Sequence, residues 1–199
     1  MDQMSDPPTS PQAPSLQGKR FSLAPLMPEH HAPLYRLVTS EHANFRWRYR
    51  GEIPPIESFE RTLHSNVLVQ FAIVAQQDRR RFAGLVVAYN YVPRDTTCYL
   101  AVVTDPACGG GTLEATGLFV RYLFACWPLR KIYIEAADFN IRQYASGLRS
   151  GLLVSEGLLK EHHYFDDRYW DLQILAIYRE AVPGFRSRLD TQSEGLRAT

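Results

Sequence analysis

The sequence predicts an α/β (α+β) fold, a mixed sheet with helices on its faces. Two observations carry this reading. Apolar, β-branched runs of strand length recur, as in Val67 to Val74, Phe82 to Tyr91 and Arg168 to Tyr178, and they are interrupted by helically spaced segments such as Leu113 to Phe124. In Cys98 to Gly117, an apolar strand passes through the glycines Gly109-Gly110-Gly111 into a helix.

Residues 1–18 are rich in Pro, Ser, Gln and Asp and read as a disordered tail; residues 19–181 read as one domain and 182–199 as a flexible C-terminal tail. Arg20 to Leu26 alternates like a strand, and Pro28-Glu29 opens a helix through Leu34 and Val38, with proline in its favoured first turn. A polar, aromatic stretch follows (His42, Phe45, Trp47, Tyr49), then a short helix from Ile56 to Leu63 after Pro54-Pro55. Strands are predicted over Val67 to Val74, Phe82 to Tyr91 and Thr96 to Val103, the first two joined by the polar turn Gln76 to Arg80. Leu113, Leu118, Tyr122, Phe119 and Leu123 give the next helix a buried face, and Pro128 ends it. Lys131 to Ala136 is a short strand, Asn140 to Leu148 a helix with Asn140 as its cap, and Gly151 leads into Leu152 to Val154. The alternating run Arg168 to Tyr178 closes the sheet.

The 199 residues fit one domain, and a net charge of +1 gives no electrostatic reason to expect nucleic acid or an anionic membrane as partner. No apolar run reaches the ~20 residues that span a bilayer, and no signal-peptide core is visible, so a soluble, cytoplasmic protein is expected. Cys98, Cys108 and Cys126 lack metal-type spacing and form no disulfide framework; no metal site is expected. Cys98 and Cys126 fall in apolar stretches and read as small core residues. Cys108 adjoins the glycines, where a helix start can lower a thiol pKa, but no histidine is near it in sequence to make it a nucleophile.

Strand, glycine turn and helix start together form a ready anion site, because glycine lets the backbone approach a ligand and the first helical N–H groups point at it. The competing reading of Gly109-Gly110-Gly111 is a flexible turn. No Lys-Ser or Lys-Thr pair follows, so this is not a P-loop, and Cys108 and Thr112 break the dinucleotide spacing.

YLAVVTDPACGGGTLEATGLFVRYLF, KIYIEAADFN, the stretch from Gly151 to Glu161 and DDRYWDLQILAIYRE together resemble the GNAT superfamily of acyl-CoA-dependent N-acyltransferases, and within it the ribosomal-protein N-terminal acetyltransferase branch. The resemblance spans about Arg20 to Glu180 and implies a mostly antiparallel central sheet of about seven strands. It implies acetyl-CoA or another acyl-CoA, its pantetheine paired with the main chain of Ala101, Val102 and Val103. The pyrophosphate would lie on Cys108, Gly109, Gly110, Gly111 and Thr112, and Asn140 would contact the cofactor arm. The chain departs from the family pattern in two places. Ala107 stands where a basic or amide residue is usual, in a shortened loop, and Gly147 stands where many members have a proton-donating tyrosine.

Acyl transfer needs a neutral amine, a polarised carbonyl and a proton for the thiolate. A fourth-strand N–H at Val102 or Val103 suits the carbonyl, Glu135 at the end of the fifth strand is the candidate base, and Tyr144, one helical turn after Asn140, is the candidate acid. For each a plain role competes: surface carboxylate, packing tyrosine. His162-His163, Tyr164, Tyr169 and Trp170, between the last strands, suggest with Phe45, Trp47 and Tyr49 an aromatic acceptor site, against the alternative of ordinary core. No segment is basic or acidic enough to indicate a strongly charged acceptor. The expected function is transfer of an acyl group to an amine of a small molecule or peptide. The alternatives are a catalytically silent protein of this fold binding CoA or a protein partner, and a fold-only likeness. A homodimer through the last strands is the expected assembly.

Overall fold

The computed structural model describes residues 13–41, 43–77, 81–108 and 111–182. Its elements are β1 (Phe21–Ala24), α1 (His31–Val38), α2 (Ile56–Thr62), β2 (Val67–Ala75), β3 (Phe82–Val92), β4 (Thr97–Thr104), α3 (Gly111–Cys126), β5 (Lys131–Ala137), α4 (Ala145–Arg149), β6 (Val154–Phe165) and β7 (Arg168–Tyr178), in the predicted order. The seven strands form one sheet ordered β1-β2-β3-β4-β5-β7-β6. Every neighbouring pair is antiparallel except β4–β5.

Helices cover both faces, and β3 shows why its sequence is apolar without interruption. Val86 and Ala88 face the α3 side with Leu118, Phe119 and Leu123, whereas Leu85, Val87 and Tyr89 face Leu34, Val38 and Phe59 of α1 and α2. A strand buried on both faces loses the polar alternation of a half-exposed one. At Gly84, with φ +149°, an added Cβ would lie 2.1 Å from the Val103 oxygen, so only glycine allows β3 to approach β4 there.

Several local expectations differ. Leu113 is 48% exposed, because the buried stripe of α3 runs through Ala115, Leu118, Phe119 and Leu123 instead. Cys126, at the end of α3, is exposed, while Cys98 is buried and burial pushes its thiol up to about 12. Asn140 caps no helix: it lies inside a 3-10 segment, Asp138–Tyr144, that α4 continues. His162, His163 and Tyr164 lie within β6, not between strands, and β7 is inserted between β5 and β6, which leaves β6 at the edge. Leu16 packs against the core, and the Leu16 carbonyl accepts the Leu23 N–H. Among the described residues no helix is long and apolar enough to cross a membrane, and no group of His, Cys, Asp or Glu is placed to hold a metal ion.

Candidate functional site

The site begins where the parallel pair fails. β4 and β5 are registered only at Thr97–Lys131, Cys98–Ile132 and Tyr99–Tyr133; beyond that, β4 runs on to Thr104 and β5 to Ala137 without pairing. β3 holds one edge of β4 throughout. The Asp105 N–H donates to Ala83, so by alternation Ala101 and Val103 face β3 with their main-chain groups, while those of Leu100, Val102 and Thr104 face the split. An unpaired strand edge inside a protein demands hydrogen-bond partners.

The closed end of the split is an aromatic seam. Tyr89, Tyr99 and Tyr133 lie side by side, with centroids 5.7 and 5.2 Å apart, and Arg48 sits 4.2 Å above Tyr89. At the other end the Lys131 ammonium lies 4.7 Å from the Tyr133 ring and 2.5 Å from Glu156 Oε2.

A cleft of about 280 Å³ fills the split. Ala101, Val102 and Val103 form one wall, Glu135 and Ala137 the other, and Asn140, Gln143 and Tyr144 its far end. Phe45, Arg46, Trp47, Arg48 and Arg50, from the loop between α1 and α2, close it over, with His163 of β6 beside them. The predicted residues Ala101, Val102, Val103, Glu135, Asn140 and Tyr144 are thus brought to one cavity. Cys108 ends the 3-10 turn Pro106–Cys108, where the Asp105 carboxylate accepts the Ala107 N–H at 2.9 Å, and Gly111 and Thr112 begin α3. Gly109 and Gly110 lie outside the described residues.

Electrostatics distinguish these groups. Glu135 Oε2 lies 3.5 Å from Arg50 Nη2. Burial first, and the Glu135 carboxylate next, push the Tyr89 phenol up to about 12. Burial likewise lifts Tyr144 to about 12, so its phenol stays protonated at neutral pH. His163 is driven the other way, to about 4, by burial, by Arg50 and by His162.

The aromatic acceptor cluster is only partly assembled. Phe45, Trp47 and His163 line the cleft. Tyr49 lies behind it against Phe59, and Tyr164 and Tyr169 are 60% and 64% exposed, meeting each other edge to face away from it. Trp170 packs on Phe139 under Arg168. Their β6–β7 positions put successive side chains on opposite faces, so one cluster in sequence cannot make one wall. At Gly147 an added Cβ would meet Leu153 Cδ1 at 2.6 Å, so a larger residue there would require the Leu153 side chain to move. Arg46, Arg48 and Arg50, which the sequence reading did not single out as a charged segment, all line the cleft. The signal was present as alternating Arg and aromatic residues, masked by a near-zero net charge.

No known family profile matches the chain, and neither does any curated protein sequence. Solved structures do. The spermidine N-acetyltransferase of Vibrio cholerae in complex with CoA and spermine is 18% identical, with a TM-score of 0.70 over 82% of this chain and 98% of that one. A chimera of that enzyme with hSSAT is 17% identical at TM-score 0.69, covering 82% and 98%. The same acetyltransferase in complex with manganese ions is 20% identical at TM-score 0.64, covering 83% and 96%. This is the GNAT fold. Identities this low establish the architecture, and the narrower likeness to the ribosomal-protein branch gains no support from polyamine acetyltransferases.

Proposed function

We propose that the protein is an acyl-CoA-dependent N-acyltransferase, using acetyl-CoA or another acyl-CoA to acylate an amine of a small molecule or peptide. The carrying observation is the β4 edge that loses β5 after Tyr99–Tyr133 and turns the main chain of Val102 into the cleft, next to the loop that opens α3. The unpaired groups fit a pantetheine arm, which brings amides of its own. The loop from Cys108 to Thr112 would hold the pyrophosphate by main-chain N–H groups and the helix dipole, and Asn140 would reach the cofactor arm. One similar structure, the Vibrio cholerae spermidine N-acetyltransferase, is a complex with CoA and spermine. Ala107 offers no side-chain charge to this anion, so the N–H groups act alone.

Bound acyl-CoA supplies an acyl thioester: the amine nitrogen bonds to its carbonyl carbon as the carbon–sulfur bond breaks. The Val102 N–H polarises that carbonyl oxygen. Glu135 accepts the proton the amine gives up, and Tyr144, whose phenol is protonated at neutral pH, donates one to the departing thiolate. Trp47 and Phe45 wall the cleft against water.

Thermal unfolding with and without a series of acyl-CoAs tests this. A ligand at 100 times its dissociation constant adds about 2.7 kcal/mol, a rise of several degrees. No rise with any acyl-CoA would overturn the reading. The sequence resemblance to the ribosomal-protein branch keeps a peptide N-terminus among the acceptors to be screened, and a cytoplasmic site of action suits an acyl-CoA donor. A second copy would pair through β6, an edge strand exposing Val154, Leu158 and Leu159. A monomer by light scattering would refute that assembly.

A further inference from the structure

The loop between α1 and α2 contributes three arginines, Arg46, Arg48 and Arg50, to the lining of a cleft in which, among the described residues, Glu135 is the only acidic one. Arg50 is paired with that carboxylate. Arg48 lies over the Tyr89 ring, and neither it nor Arg46 has a carboxylate partner among the described residues. Asp138, the next acidic residue after Glu135 along the chain, is engaged by Gln173. The described lining of the cleft therefore carries more cationic than anionic side chains.

The loop holds these charges in place. Trp47 is 7% exposed and its backbone N–H donates to the Ala43 carbonyl at 2.8 Å; the Gly51 N–H donates to the Asn44 carbonyl at 3.0 Å, and the Phe45 ring packs on Phe165 at a tilt, with centroids 3.9 Å apart. Arg50 is held at φ 52°, a left-handed conformation that non-glycine residues rarely adopt.

We infer that the acceptor amine carries an oxyanion, a carboxylate or a phosphate, which Arg46 and Arg48 bind beside Glu135. This rests on the acyltransferase reading. Guanidinium groups suit this role because their planar fork binds both oxyanions bidentately. A polycation would meet two uncompensated positive charges instead.

The test compares matched amines: β-alanine against propylamine, phosphoethanolamine against ethanolamine, and spermine as polycation, with wild type, R46Q/R48Q and the charge-retaining R46K/R48K. The expected result is a kcat/KM at least tenfold higher for the anionic member of a pair. This preference collapses in R46Q/R48Q and is partly restored in R46K/R48K, with CoA stabilisation unchanged in all three proteins. The pair that shows the preference tells carboxylate from phosphate. Spermine or the neutral amines turning over as well as the anionic ones overturns the inference, and so does a preference that survives R46Q/R48Q. Loss of CoA stabilisation in R46Q/R48Q also overturns it, by assigning the arginines to the cofactor. If wild type binds no CoA, the acyltransferase reading fails by itself. The anion site is then scored by thermal shift with N-acetyl-β-alanine and N-acetylphosphoethanolamine: stabilisation of wild type but not R46Q/R48Q supports it, and equal or absent stabilisation refutes it.

Discussion

Arg50 Nη2 stands 3.5 Å from Glu135 Oε2, joining the loop between α1 and α2 to β5 across the cleft. Both side chains are substantially exposed, 47% and 33%, so the pair adds under about 1 kcal/mol to stability. Its consequence is placement: it fixes the carboxylate facing the cleft. Glu135→Gln is expected to lower kcat by about 100-fold while leaving the unfolding temperature nearly unchanged. A kcat within twofold of wild type would remove Glu135 from the proton path.

Tyr144 gives a sharper separation of chemistry from packing. Its ring contacts the core on the α3 face, and its hydroxyl is the only part Tyr144→Phe removes. The variant is expected to fold normally and to lose about tenfold or more in kcat, with little change in KM for acyl-CoA. Equal kcat would make it a packing residue.

His163 ties stability to pH. Its folded value is about 4 against an ordinary 6.5, so the unfolded chain takes the proton first as pH falls. Stability should decline from pH 6.5 towards pH 4 and cease declining on this account below that. His163→Gln, which cannot take up a proton there, should flatten the decline between those limits. Calorimetric unfolding temperatures measured across that range for both proteins decide it.

Lys131 and Glu156 form the other charged contact with a structural consequence. Burial works to raise the Glu156 carboxyl, but hydrogen bonds from Lys131 and Tyr178 outweigh it and hold it below the usual carboxylate range. A depressed carboxylate stabilises above its unfolded pKa of 4.5, and that contribution disappears as pH falls through the folded value. At neutral pH, Glu156→Gln, which leaves the 7%-exposed Lys131 without its counter-charge, should cost about 2 kcal/mol and several degrees. Denaturant melts at neutral pH and at pH 3 should show that difference shrinking with acid.

Ala107 is exposed at the mouth of the glycine loop, in place of a basic or amide residue. Ala107→Arg is expected to tighten CoA about tenfold, since a charge-assisted contact contributes about 1.5–3 kcal/mol. Calorimetric titration of CoA into both proteins measures it. Unchanged affinity would mean that the pyrophosphate lies out of reach of position 107.

The order of strands and helices was legible because each run carries its own period, as β3 and α3 do. The positions of Glu135, Asn140 and Tyr144 followed from where β5 ends. What sequence could not show was set by tertiary packing. Leu113 matches the helical stripe but lies where nothing packs on α3, and Cys126 faces solvent from an apolar run. The cationic character of the cleft was hidden because Arg46, Arg48 and Arg50 act together only once the loop folds over β4 and β5. Tyr164 and Tyr169 were grouped with Phe45 by aromaticity, yet the two are opposite each other across the β6–β7 pair and lie exposed.

The short β4–β5 register divides the sheet into two leaves, β1 to β4 and β5, β7 and β6, stitched at one corner by Thr97, Cys98 and Tyr99. A ligand lying along Val102 would serve as the missing length of seam. Amide exchange at Val102 and Thr104, in β4, should slow more on ligand binding than anywhere else in that strand.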